Sequence, residues 1–130
     1  ALKGLDTRKQ LFYPNIVNIE LIDNIISDIF AQKVECIVCG DDVICTRIMS
    51  RLQAEGYRIP KDISIVSLYN SIYLECLSPA VTAVNISARR LGNAVGKQLI
   101  NCLQGADYQV KTKLDYEILG RKSTGKLYQV

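Results

Sequence analysis

Apolar residues recur at helical spacing early in this chain: Ile22, Ile25, Ile26, Ile29 and Phe30 fall at i, i+3, i+4, i+7 and i+8. A helix over 18–32 with one core-facing stripe is expected, capped by Asn18. The period then shortens. Residues 34–39 and 63–68 are brief runs rich in Val and Ile that predict strands. Between them Ile44, Ile48 and Leu52 return to helical spacing, with Cys45 and Met49 beside them. Strand, helix and strand at this spacing predict two parallel strands joined by a crossover helix. Units of this kind hold ligands outside their strand carboxyl ends, which places Asp41, Asp42, Tyr69 and Asn70 together at one rim.

The flanks are less regular. Residues 1–5 read as a helix end stopped at Gly4, and Gln10 to Tyr13 as a short strand closed by Pro14. Residues 71–80 are expected to be irregular, with a strand resuming over Val81 to Val84. Ser87 is placed to cap a long helix with Ala88, Leu91, Val95, Leu99 and Leu103 on one face and Gly105 just past its end. Gly92 and Gly96 thin another face of that helix, as close packing against a neighbour would require. Over residues 108–119 Val110, Leu114, Tyr116 and Ile118 alternate with polar residues, the pattern of an edge strand or hairpin.

Composition narrows the function classes. The chain has 130 residues, enough for one domain burying roughly two thirds of its unfolded surface. Its 16 basic and 13 acidic residues give a net charge of +3 without any long run of like charge, so this segment makes no case for nucleic-acid contact. Five cysteines in no framework spacing suggest reduced, mostly buried thiols of a cytosolic protein. Cys36 and Cys39 form a Cys-x-x-Cys, but three residues apart on a strand they face opposite sides, and the chain has no histidine, so no metal site is expected. There is no Gly-rich phosphate loop and no nucleophile with a plausible base, so neither enzymatic activity nor a cofactor is expected. A strand leading into Asp-Asp and a helix could mimic an aspartyl-phosphorylation pocket, and nothing else in the sequence supports one. No run of eighteen apolar residues is present, so no membrane span is expected. Because the chain starts at Ala1 without a methionine, it is expected to be a piece of something longer.

Several motifs fall in one order: Gly40-Asp41-Asp42, then Gly56, Ile59-Pro60-Lys61-Asp62, the strand 63–68, Ser78-Pro79-Ala80-Val81-Thr82-Ala83-Val84, and finally Glu117-Ile118-Leu119-Gly120-Arg121-Lys122-Ser123-Thr124. In this order and spacing they resemble the effector-binding domain of LacI/GalR-type transcription regulators over nearly the whole chain. The resemblance implies a doubly wound, parallel α/β sheet of the periplasmic-binding-protein kind, incomplete here. It implies that residues 1–80 and 109–130 belong to the C-terminal lobe of a two-lobed domain and that 81–106 cross into the N-terminal lobe. The DNA-binding helix-turn-helix, most of the N-terminal lobe and the first strand of the C-terminal lobe would lie upstream. That first strand is central in a doubly wound sheet, so strand 34–39 is expected to show an open edge and the chain to self-associate.

The same resemblance suggests a site. Asp41 falls where many members place an Asn that bonds effector hydroxyls, while Asp42 is the simpler partner for the helix dipole. Tyr69 and Asn70 occupy the place of the family's paired acid and acid-or-Asn, so a tyrosine replaces the first acid, and Ser67 replaces a glycine. An aromatic there suits a flat or hydrophobic ligand, or a protein partner. Ile16 aligns with an aromatic wall of the pocket, although core packing is the simpler account of it. Thr46 and Arg47, with Cys76 and Leu77, fall where members dimerise. The implied function is the effector-binding and dimerisation domain of a cytoplasmic, repressor-like DNA-binding regulator. It would be a homodimer, with a sugar or related effector between its lobes. The alternative is a periplasmic sugar-binding protein of a transport system. The 59–62 string, the closing motif and the unpaired-looking cysteines favour the regulator.

Overall fold

The computed structural model of the chain describes residues 11–13 and 19–125. The expectations for residues 1–5, Pro14 and Asn18 lie outside them, and residues 11–13 are described without a strand. The elements run α1 (Ile19–Gln32), β1 (Cys36–Cys39), α2 (Asp42–Ala54), β2 (Ser64–Ser67), α3 (Ile72–Cys76), β3 (Thr82–Asn85), α4 (Ala88–Leu103) and β4 (Glu117–Leu119). The sheet order is β1-β2-β3-β4, with the first three strands parallel and β4 antiparallel to β3. The expected parallel crossover unit is therefore present, in the register Cys36 to Ser64 through Cys39 to Ser67.

One face of the sheet carries the core. Cys39 of β1 and Ile65 and Ser67 of β2 are buried there, whereas Cys36 and Val38 on the opposite face are exposed. Helix α2 packs on this covered face, burying Cys45, Ile48, Met49 and Leu52, and α1 lies against α2 with its four-isoleucine stripe buried. Full burial of each such aliphatic side chain contributes about 1.5–3 kcal/mol, so these two stripes dominate the stability of the unit. Gly56, at φ +84°, ends α2 in the left-handed conformation that glycine adopts without strain. It directs Tyr57 back to α1, where its ring stacks on Phe30 with centroids 4.8 Å apart.

The loop before β2 is closed by Arg58 and Asp62, joined through the Arg58 backbone N–H and two guanidinium nitrogens at 2.7–2.8 Å. The Arg58 guanidinium is the largest cause holding the Asp62 carboxyl at about 2 rather than 3.8. A folded-state value below the unfolded one contributes stability that is present above about pH 4 and fades as pH falls through about 2. Carboxyl-detected NMR titration is expected to give Asp62 a midpoint of about 2, and a midpoint near 4 would contradict the closure.

The closing segment explains its own motif. Ser123 is fully buried, donates from Oγ to the Ile65 carbonyl at 2.6 Å and accepts the Thr82 N–H at 2.8 Å. Its own carbonyl accepts the Ile65 N–H at 3.0 Å. Because β3 begins pairing with β2 only at Val66 and Thr82, Ser123 satisfies backbone groups that the ladder leaves open.

Several expectations change. Residues 71–80 contain the short helix α3, anchored by the fully buried Leu74. The strand of the 81–106 segment, β3, is built into the same sheet as β1 and β2. Of residues 108–119, only Glu117–Leu119 form a strand. Helix α4 forms with its Ser87 cap and with Gly105 at φ +67°, yet it has no buried residue. Nothing lies within 4 Å of where a Cβ would sit on Gly92 or Gly96, so the neighbour expected there is not among the described residues. Among the described residues strand β1 pairs only with β2, which leaves its other edge open there. Val38 is 59% exposed, while Val34 and Ile37 are half-buried.

Candidate functional site

The three parallel strands end at one rim. Past β1 come Gly40 and Asp41, past β2 come Leu68, Tyr69 and Asn70, and β3 ends at Asn85. The Leu68 N–H donates to the Cys39 carbonyl at 2.8 Å, carrying the β1–β2 pairing one step beyond the ladder. Asp41, Tyr69 and Asn70 thus share the carboxyl end of the sheet, the juxtaposition expected from a right-handed crossover.

Asp41 is the residue that caps α2: its Oδ1 accepts the Ile44 N–H at 2.8 Å, and Asp42 sits in the first turn. The sequence suggested the helix-complementing role for Asp42, but extended backbone at Asp41 (φ −143°) swings its carboxylate over the helix mouth. Capping engages one carboxylate oxygen and leaves Oδ2 for a ligand at the exposed rim. Asp41→Ala is expected to cost about 1 kcal/mol from the lost cap alone, and an unchanged urea midpoint would argue against it.

Ser67 fixes the turn after β2. It is fully buried, donates to the Tyr69 carbonyl at 2.7 Å and accepts the Tyr69 N–H at 3.2 Å, so a side chain supplies the constraint where a glycine was expected. The Tyr69 ring is left 57% exposed. Asn70 is held more firmly: its Oδ1 accepts from Arg121 at 2.9 Å, and its Nδ2 lies 3.5 Å from Asn85 Oδ1. Arg121 in turn reaches the Val81 carbonyl at 2.7 Å and Glu75 of α3 at 2.6 Å. Next to Asn70, the buried Ser71 Oγ has no hydrogen-bond partner, an orphaned polar atom in the same turn.

Near the Asp41 turn two neighbouring thiols, Cys39 and Cys45, are buried. Their mutual interaction raises the Cys39 thiol and lowers that of Cys45. Among the described residues no three His, Cys, Asp or Glu side chains gather as a metal site, and no helix is long and apolar enough to cross a membrane. A separate groove of about 420 Å³ runs between α4 and residues 108–114, lined by Leu91, Val95, Leu99, Tyr108 and Val110. None of the rim residues lines it.

Ile16 lies outside the described residues. Thr46 is half-buried, with its hydroxyl donating to the Asp42 carbonyl at 2.8 Å, and Arg47 is exposed. Cys76 is exposed and Leu77 half-buried at the end of α3, which packs against α2. Sequence reading passed over Arg121 and Glu75. Arg121 sits in the closing motif, and only its distance along the chain from Asn70 concealed the connection.

Residues 5–124 match the model of the periplasmic binding protein-like domain. The chain belongs to that family. Among its relatives, the HTH-type transcriptional repressor PurR of Vibrio atlanticus is 30% identical over 97 residues, covering 74% of this chain and 29% of the repressor. The crystal structure of the transcription regulator CcpA of Lactococcus lactis superposes with a TM-score of 0.75 at 25% identity, covering 82% of this chain and 40% of that one. A LacI family regulator from an Arthrobacter species, solved in complex with lactose, shares the fold at a TM-score of 0.70 and 21% identity, over 80% of this chain and 41% of its own. The resemblance drawn from the motifs is therefore correct: this is the effector-binding fold of LacI-type regulators, and these relatives are regulators rather than transport proteins. The chain spans less than a third of the Vibrio repressor's length.

Proposed function

We propose that this chain is the C-terminal part of the effector-binding and dimerisation domain of a cytoplasmic, non-enzymatic, repressor-like transcription regulator. A small molecule is held at the rim by Asp41, Tyr69 and Asn70. The observation that carries the reading is their convergence at the carboxyl ends of parallel strands, in a chain whose relatives bear helix-turn-helix names. Ile16 is assigned to the same pocket wall. Residues 1–80 and 109–130 belong to one lobe, and residues 81–106 cross into the other. The bare apolar face of α4 supports this division, because an amphipathic helix with no buried residue needs a covering layer. That layer is the other lobe of the same protein. Thr46, Arg47, Cys76 and Leu77 contribute to a homodimer seam on α2 and α3. Ligand occupancy shifts the balance between two lobe arrangements, and with it the spacing of the DNA-binding heads.

The test is fluorescence anisotropy of the intact protein on DNA from its own promoter region, with and without a metabolite panel. The expected result is tight DNA binding that one class of small molecule changes at least tenfold. No DNA binding under any condition would refute the regulator reading. Within that protein, Tyr69→Asp restores an acid at the rim and is expected to improve affinity for hydroxyl-rich ligands by about 1–2 kcal/mol, through a charge-assisted hydrogen bond. Calorimetry with a sugar panel showing no gain for any member would remove position 69 from the site.

A further inference from the structure

Arg121 is the best-connected side chain behind the rim. It is only 14% exposed and donates to three acceptors, the Val81 carbonyl, Asn70 Oδ1 and Glu75 Oε1, at 2.7, 2.9 and 2.6 Å. A guanidinium carries donors only, so it accepts one orientation of the Asn70 amide, with the oxygen turned inward. The NH2 end is then left for the rim. Asn85 Oδ1, at 3.5 Å, holds one of its protons at the long limit of a hydrogen bond, and the second has no protein acceptor among the described contacts.

From this geometry we propose that Arg121 is a positioning residue that locks Asn70 as a hydrogen-bond donor, and that the rim thereby selects a flat, uncharged ligand bearing a ring carbonyl or ring nitrogen. The inference rests on the rim being the effector site. Three features of the rim define the ligand. The half-exposed Tyr69 ring offers a stacking surface in place of the acid that would grip a sugar hydroxyl. The Asn70 amide supplies a donor to the ligand's acceptor. The Asp41 oxygen not used in capping accepts from an N–H or O–H elsewhere on the same ring. Charge argues against an anion, because Glu75 already balances Arg121 while Asp41 and Asp42, at the end of the neighbouring strand, have no ion-pair partner among the described residues. A polyol hydroxyl also accepts from an amide, but the puckered C–H face of a sugar gains less from the Tyr69 ring than a flat ring does, and it loses the charged acceptor that Tyr69 displaced. That combination is expected to separate the two ligand classes by tenfold or more.

Two measurements on the intact protein test the proposal. The first follows the Asn70 side chain by 15N relaxation of its amide. A rigid side chain, as ordered as the surrounding backbone, is expected in the wild type. It should become mobile in Arg121→Lys, whose single ammonium cannot reach all three acceptors. The second is calorimetry with uracil, hypoxanthine and nicotinamide against glucose and cellobiose. At least one ring compound is expected to bind ten times tighter than either sugar. Arg121→Lys should erase that margin, Asn70→Asp should reverse it, and Glu75→Gln, which leaves the link between Arg121 and Asn70, should preserve it. If Arg121→Lys does not fold, Asn70→Asp carries the test. A wild-type Asn70 side chain as mobile as in Arg121→Lys overturns the positioning role, and sugars binding as tightly as every ring compound overturn the selection. If neither class binds while DNA binding stands, the rim is not an effector site for these ligands and the proposal fails, with the regulator reading intact.

Discussion

Replacing Ser123 by alanine is expected to lower the unfolding free energy by about 2–4 kcal/mol, because it strands two buried backbone groups at once, each worth about 1–3 kcal/mol when left unpaired. The Thr82 N–H loses its acceptor and the Ile65 carbonyl loses its donor, both where β2 and β3 are not yet paired with one another. Exposed Lys122, one residue away, provides the comparison: Lys122→Ala is expected to stay within about 0.5 kcal/mol. Urea denaturation of the two variants tests the difference. Equal midpoints would mean that the closing segment is an ornament to the sheet rather than its clasp.

The second large effect concerns association. On its own, the 130-residue chain is expected to sediment as a dimer or larger species, since α4 leaves Val95 and Leu99 each 58% exposed, and β1 has an edge open among the described residues with Val38 59% exposed. Covering two such side chains contributes about 2–4 kcal/mol, which corresponds to roughly thirtyfold to several hundredfold in the association constant. Val95→Lys together with Leu99→Lys should therefore move the chain toward monomer at micromolar concentration. If the double variant associates as strongly as the parent, the contact runs through the β1 edge instead, and Val38→Lys becomes the decisive variant. A monomeric parent chain would show that neither surface is sticky and that the argument from the absent central strand is mistaken.

Local patterning made the core of the fold legible. The period change from the isoleucine stripe of α1 to the β-branched run of β1, and back to the spacing of α2, follows directly from which positions are buried, so the parallel unit and its rim could be read in advance. Helix α3 escaped notice because five residues are too few to show a period, and its one buried residue, Leu74, sits among exposed Ile72 and Tyr73. The cap was assigned between two adjacent aspartates that the sequence cannot separate. Only the extended backbone at Asp41 decides which carboxylate reaches the helix mouth. The wiring of the site was hidden for a different reason. Arg121 meets Asn70 across fifty-one positions, and long-range polar contacts leave no periodic trace in the chain. The motif that contains Arg121 marked the segment without saying what it touches.

Hydrogen–deuterium exchange of the intact protein tests the central claim most directly, using whichever small molecule shifts its DNA affinity. The account predicts that ligand slows exchange of the amides of residues 40–42 and 68–71 by at least tenfold. Protection confined to α4 and residues 108–114, with the rim unchanged, would contradict it.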